Sequence, residues 1–564
     1  MKDTFEQLAR RYVEEAPALS PVGATGLGDH RFDGELDDVS PEANERRAAF
    51  CRDLIDELDR IPTEGLSPAS QVDAAMLEHR LRAGIWHLEE LAEWAWNPTA
   101  YTGLAGSAIY GLMARDFAPL AERLRSATSR MAQFPRLLEQ VRAILDPPRV
   151  PKVHAETAVK QNRGIASIIE HLVAPHADAL PPADRGRLTE AMETARSAVE
   201  AHQHWLEDEL LPHAGGDFRL GAERFDRKLA FTLNTPLTRP QIRRRAEAEL
   251  RRVRDEMYEV AREVYCREYP HTKLPAAPSE PYRQAIVRAC LETAYRDAPD
   301  PERIVEQATE ALAAATRFVG EADLVTLPPD PVEVIVMPEF RRGVSLAYCD
   351  SPGPLDVGQR TFYAIAPPPA DWTDEQVRSH LREYNLRSLH NLTVHEAMPG
   401  HFLQLAHSNR YPSKLRAMLS SGVFIEGWAI YGEHTMIEKG FLHGDPLMRL
   451  IVLKWLLRAI ANAILDQAIH VDGMGEDEAM ELMMEQTFQE EREAAGKWTR
   501  ARLTSTQLST YFVGYLEHVA LRREVEAARS EAFDLKAYHD ELLSFGSPPP
   551  RYVRALMLDL PIEG

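Results

Sequence analysis

Two histidines bracket a glutamate in the stretch His395-Glu396-Ala397-Met398-Pro399-Gly400-His401. These are the residue types that a zinc ion and an activated water require: imidazoles as ligands and a carboxylate to accept a proton. In the common zinc-hydrolase motif the two histidines lie four residues apart, and about 100° per residue puts both on one helix face. Here they lie six apart, so on a regular helix their side chains diverge by roughly 120°. Pro399 removes a backbone donor and crowds the carbonyl four residues earlier, and Gly400 takes dihedrals that other residues avoid. The pair predicts a break that swings His401 back beside His395. On spacing alone a second reading stands beside it: a Pro-Gly helix stop and two unrelated polar histidines.

A third ligand is offered by the run Phe424-Ile425-Glu426-Gly427-Trp428-Ala429-Ile430-Tyr431, which sets one carboxylate among apolar neighbours. A buried carboxylate without a partner is expensive, and metal ligation neutralises it. Glu433, seven residues on, lies two turns along the same face, where it can orient a histidine through its second ring nitrogen. Asp466 and His470 form another pair, four residues apart in an apolar context. They are either an internal hydrogen-bonded pair or, with His470 facing the metal, a source of oxyanion stabilisation. Tyr511, within TSTQLSTYFVGY, is a similar candidate donor or a core tyrosine.

The elements that must position these residues are mostly helical. Phe5, Leu8 and Tyr12 recur at three- and four-residue steps, as do Leu54, Leu58 and Ile61. Ser20 to Ser40, rich in Gly and turn formers, is predicted to loop and to be pinned at a site mouth. Thr238 with Gln241, and Thr373 with Gln376, read as capping boxes that open helices. Between them VEVIVMP, VSLAYCD and RTFYAIAP, all within 332–367, predict a small sheet. Breaks are expected near Pro399-Gly400, Gly440–Gly444 and Gly473.

Composition narrows the function. Acidic residues outnumber basic ones by 87 to 65, a formal net charge of −22, which repels phosphate backbones and anionic lipid. Nucleic acid and membrane are therefore excluded as expected partners. The four cysteines lack a CxxC spacing and are expected buried and reduced. The first residues are charged and amphipathic, without the apolar stretch of a signal peptide. The longest apolar run, Leu450 to Ile469, is interrupted by Lys454, Arg458 and Asp466. A cytoplasmic protein is the expectation.

Taken with these motifs, the chain resembles the bacterial domain-of-unknown-function family 885. The family's HEAxPGHxxQ hallmark stands here as HEAMPGHFLQ, Gln404 included, and its EGWAxYxE hallmark as EGWAIYGE. Similarity extends through PVGATGLGDHRFDGELDDVSPEA, GAERFDRKLAFTLNTPLTRPQI, RAIANAILDQAIH and LLSFGSPPPR. That family in turn resembles the helical gluzincin peptidases. The resemblance implies His395, His401 and Glu426 as ligands of one Zn²⁺, with Glu396 as general base. The chain departs from the family at Phe402, where members often carry a second histidine, and at Asn462, where they carry an arginine suited to gripping a substrate carboxylate. A PGQALSY-like stretch is partly kept around Gln507 and Tyr511.

The expected fold is mainly α, a large two-lobed gluzincin-like metallopeptidase fold with a small β-sheet beside a central cleft. One continuous domain is expected over 1–564: a mostly helical lobe to 330, the sheet over 331–370 and a helical catalytic lobe over 371–564. The expected function is zinc-dependent hydrolysis of amide bonds in short peptides. Glu396 accepts the proton of the attacking water, and Tyr511 and His470 stabilise the oxyanion. Glu433 and Asp466 support them, and the strand holding Tyr363 and Ala364 pairs with an extended substrate. One alternative is an amidohydrolase acting on a small metabolite or a modified biosynthetic peptide. Another is a catalytically silent peptide-binding protein, against which an intact Glu396 argues.

Overall fold

The computed structural model describes residues 2–337, 346–369 and 372–563. Pro338, Val344 and Ser345, parts of the predicted strand runs, lie outside the described residues. Helix α1 (Lys2–Glu15) buries Phe5, Leu8 and Tyr12, the positions its periodicity predicts. They pack in a cluster that also holds Leu415, Leu419 and Tyr552, so the start of the chain is fastened to its far end.

The predicted loop after α1 is instead partly helical. Helix α2 (Pro21–Leu27) starts on a proline and stops at Gly28, whose φ of 82° suits a glycine stop. Tertiary bonds override its glycine-rich composition. Asp37 accepts from Val22 N at 2.9 Å, and the fully buried Arg130 guanidinium donates to the Pro21 carbonyl and to Thr25 Oγ1. Helix α3 (Thr99–Met113) packs on α2. The breaker-free run after Thr189 falls in helix α4 (Pro182–Trp205), followed by a wider turn through Leu210. Helix α5 (Arg239–Glu268) opens on the expected cap, with Thr238 N donating to Gln241 Oε1 at 2.8 Å.

The three predicted strands form one sheet in the order β1 (Val332–Val336), β3 (Thr361–Ile365), β2 (Ala347–Asp350). β1 runs parallel to β3 and β2 antiparallel, with Tyr363 opposite both Val334 and Cys349. The expectation that Tyr363 and Ala364 lie on an exposed edge is corrected: β3 is central and bonded on both sides, and both residues are fully buried. Among the described residues the outer strands of the sheet are β1 and β2.

After the sheet come helices α6 (Asp374–Glu383), α7 (Leu386–Glu396), α8 (His401–Ser408), α9 (Gly422–Glu438), α10 (Pro446–Gln467), α11 (Glu491–Leu503) and α12 (Ser509–Arg529). The predicted Thr373–Gln376 capping box opens α6. The apolar core forms two main clusters, one drawn from residues 22–210 and one from residues 225–553. The expected lobe boundary near 330 thus falls inside the second cluster, because α5 packs along the apolar α10. Among the described residues no helix is long and apolar enough to cross a membrane. The cysteines are unpaired; Cys290 is buried and Cys51 and Cys349 half-buried, while Cys266 near the end of α5 is exposed rather than buried.

Candidate metal centre and its cavity

Helix α7 is opened by Asn385, whose side chain accepts from the amides of Arg387 and Ser388. It ends at Glu396, and the chain then breaks before α8 begins at His401. The Met398–Pro399 bond is cis. Gly400 folds back on the last turn of α7, donating from its amide to the Val394 carbonyl at 2.9 Å. A Cβ at this position would stand 1.8 Å from the His395 carbonyl oxygen, so only glycine fits. Trp428 Nε1 fixes the other side of the turn through the Pro399 carbonyl at 2.8 Å. Gln404, the last residue of the HEAMPGHFLQ stretch, donates to Ser547 in the closing SPPP stretch at 2.7 Å.

The break brings His395 and His401 together, their ring centroids 4.7 Å apart and their planes at 82°. Glu426 arrives from α9. Its Oε2 lies 3.6 Å from His395 Nε2 and 3.5 Å from His401 Nε2, and one donor atom from each residue falls within 4.8 Å of the others. These distances are long for hydrogen bonds. They match the separation of about 3.3–3.5 Å between ligands that each sit about 2.0–2.2 Å from a tetrahedral ion. Glu426 Oε2 is buried and has no hydrogen-bond partner, so the donor set fits a divalent cation.

Around this trio the polar groups are ordered. His395 Nδ1 donates to Glu433 Oε1 at 2.7 Å, and Glu433 Oε2 accepts from Asn391 Nδ2 at 2.7 Å. That leaves His395 Nε2 to face Glu426. Burial opposes a charge on His395, but Glu426 and Glu433 outweigh it and hold its pKa well above the usual imidazole range. Burial likewise opposes the Glu426 carboxylate, and the two histidines overcome it and hold its pKa well below the usual carboxylate range. Helix α9 reaches the site because it lies almost against α12: a Cβ on Gly427 would stand 2.4 Å from the Gly514 carbonyl carbon.

The trio opens on a cavity of about 960 Å³, lined also by Glu396, β2, α6, α11 and Tyr511. Glu396 accepts from the Cys349 amide of β2 at 2.9 Å. Tyr511 OH accepts from Arg500 at 3.1 Å and from Gln507 Nε2 at 3.3 Å. His395, His401, Glu426, Glu433, Glu396 and Tyr511 are therefore brought together, as the sequence predicts.

His470 and Asp466 are not. His470 donates through Nε2 to the carbonyls of Ala501 and Thr504, both at 2.9 Å, and packs on Phe225 and Phe218 away from the cavity. Asp466 accepts from the Thr506 and Ser509 amides and the Ser509 hydroxyl, securing the start of α12. The pair is structural, because backbone groups more than thirty residues away claim both side chains. Tyr363 also serves the fold, its hydroxyl 3.2 Å from Thr393 Oγ1. Sequence reasoning missed Asn391, four residues before His395 on the same helix face, where that spacing was a usable signal. It also missed the Cys349 amide, which as a backbone group leaves no side-chain signal.

No curated protein matches this chain. Among solved structures, a protein of unknown function from Shewanella oneidensis, provisionally named a lipoprotein, is 32% identical, covers 98% of this chain over 99% of its own, and superposes with a TM-score of 0.82. A second, from Colwellia psychrerythraea and also provisionally named a lipoprotein, shares the fold at 18% identity, with 99% of each chain covered and a TM-score of 0.80. The family described as "Bacterial protein of unknown function (DUF885)" matches residues 21–557, and this chain belongs to it.

Proposed function

We propose that the protein is a zinc-dependent hydrolase that cuts amide bonds in short peptides. The observation that carries this reading is the convergence of His395, His401 and Glu426, with a buried, unpartnered Glu426 oxygen, in the same cavity as the Glu396 carboxylate. Two histidines and a glutamate are a donor set suited to zinc, as in gluzincin peptidases. Bound zinc supplies Lewis acidity and lowers the pKa of a water toward about 7.

The chain's own groups do the rest. The Cys349 amide holds one oxygen of Glu396 and leaves the other free to take the proton of the attacking water and pass it to the leaving amine. Tyr511, already accepting two hydrogen bonds, has its own proton to give to the carbonyl oxygen as it becomes an oxyanion. A cavity of about 960 Å³ suits a ligand of a few residues. The lipoprotein names of the two solved relatives favour a compartment outside the cytoplasm over the cytoplasmic expectation.

The test is a peptide-library digest followed by mass spectrometry. Glu396→Gln is expected to keep stoichiometric zinc and to lose turnover by roughly 10²–10⁴-fold; full activity would remove the general base. His401→Ala is expected to lose the metal, and retention of stoichiometric zinc by elemental analysis would sink the three-ligand centre.

A further inference from the structure

The charges around the cavity are unevenly matched. Its outer carboxylates are engaged: Glu383 accepts from Lys454 Nζ at 2.8 Å and from the Glu490 amide at 3.0 Å. Glu493 accepts from Tyr384 OH at 2.8 Å and pairs with Arg458 at 2.6 Å. Three cations of α11 facing the same space have no carboxylate partner among the described residues. Arg492, exposed at the rim, lies over the Trp372 ring at 3.7 Å. Arg500 bonds only the neutral Gln507 and Tyr511. Lys497 is 4% exposed, lines the cavity, and makes neither a hydrogen bond nor an ion pair among the described residues.

A buried lysine amine with no hydrogen-bond partner costs stability, and no contact of the fold among the described residues satisfies it. Burial first, then the nearby Arg458, hold the pKa of Lys497 well below that of a free lysine, with Glu493 opposing. No group among the described residues accepts a hydrogen bond from its amine, so the position is open to an acceptor brought by a ligand. Lys497 and Arg500 are three residues apart on one helix, which makes them neighbours about 5–6 Å apart at Cβ. Arg500 in turn touches Tyr511 OH, the group assigned to the oxyanion, and Lys497 lines the same cavity.

We infer that Lys497, seconded by Arg500, anchors a carboxylate of the substrate, so that the peptides handled in this cavity carry a free carboxylate beside the amide that is cut. This rests on the reading of the cavity as a peptide-hydrolysing site. The carboxylate comes from the chain terminus or from an acidic side chain; the same pair of cations recognises either.

The test is calorimetric binding to the Glu396→Gln protein, with three probes: N-acetyl-dialanine, its carboxamide, and a carboxamide-ended peptide bearing a glutamate side chain. The free acid is expected to bind at least tenfold tighter than the plain carboxamide. Lys497→Met is expected to erase that preference without lowering Tm, since the amine makes no hydrogen bond or ion pair that the fold would lose, and Lys497→Arg is expected to retain most of it. Tight binding of the glutamate-bearing carboxamide assigns the anchor to side chains; weak binding assigns it to the chain terminus. Equal affinity for acid and carboxamide, or a preference that survives Lys497→Met, overturns the anchor. Cleavage without any acid preference refutes the anchor alone, whereas acid preference without cleavage of any library peptide refutes the hydrolase and leaves the anchor standing.

Discussion

The Tyr511 oxygen accepts hydrogen bonds from Arg500 and Gln507, which occupies its lone pairs and aims its own proton at a third partner in the cavity. Burial, then the nearby charge of Glu426, raise its pKa above the ordinary phenol value, so it remains a donor near neutral pH. Tyr511→Phe is therefore expected to lower kcat by roughly 10²–10³-fold with little change in KM. Steady-state kinetics decide it: a raised KM at unchanged kcat would make the tyrosine a binding group instead. Glu433 acts one step further out, fixing His395 so that Nε2 faces Glu426. In Glu433→Gln the new amide nitrogen meets either His395 Nδ1–H or Asn391 Nδ2–H, in each case a donor facing a donor. Zinc affinity should fall about 10–100-fold in competition with a chelator, and an undiminished affinity would mean that His395 is oriented by other contacts.

At the level of elements, the site depends on two close approaches of backbone. One is Gly400 against the end of α7, and the other is Gly427 of α9 against Gly514 of α12, where a Cβ on Gly514 would stand 2.2 Å from the Val423 carbonyl. Gly514→Ala must push the two helices apart or bend one of them, and is expected to cost about 1–3 kcal/mol and to loosen the Glu426 position. Thermal unfolding reads the first effect and metal titration the second; an unchanged Tm would mean that the helices have slack. These approaches also explain what the sequence made legible. The break in HEAMPGH could be read because Pro399 and Gly400 act within a few residues of themselves, and the ligand helix because its lone carboxylate sits in an apolar run. The central place of β3 was hidden, since strand order is settled by what packs on either side of it. So was the structural role of His470, whose acceptors are the carbonyls of Ala501 and Thr504 at the end of α11 and just beyond it. The short helix α2 was masked by its glycines, which Arg130 and Asp37 compensate from afar.

Across the whole molecule, the N-terminal core reaches the base through β2. Cys349, whose amide holds Glu396, is followed by Asp350, and Asp350 is gripped by Arg115 at 2.8 Å and by Tyr110 OH at 3.0 Å. The connection after β2 is fastened in the same way: Leu355 N donates to the Leu27 carbonyl at 2.9 Å, and His30, stacked on Phe117, bridges Asp33 and Asp356 at 3.0 and 3.1 Å. Burial disfavours a charged His30, but the two carboxylates outweigh it and raise its pKa to about 9. A histidine whose folded pKa lies above its unfolded value, about 6.5, stabilises the fold fully below the lower value. That contribution is lost as pH rises through the upper one. Since the ring is partly exposed, the contribution is expected to be of order 1–3 kcal/mol rather than the full linkage value. The Tm of the wild-type protein should therefore fall between pH 6.5 and 9 more steeply than that of His30→Gln, which has no proton to lose there, and the two should converge above pH 9. Parallel Tm profiles would mean that His30 is neutral at this junction, and that the contacts of Arg115 and Tyr110 with Asp350, with the Leu355–Leu27 bond, couple the N-terminal core to the position of Glu396 without a charge on His30.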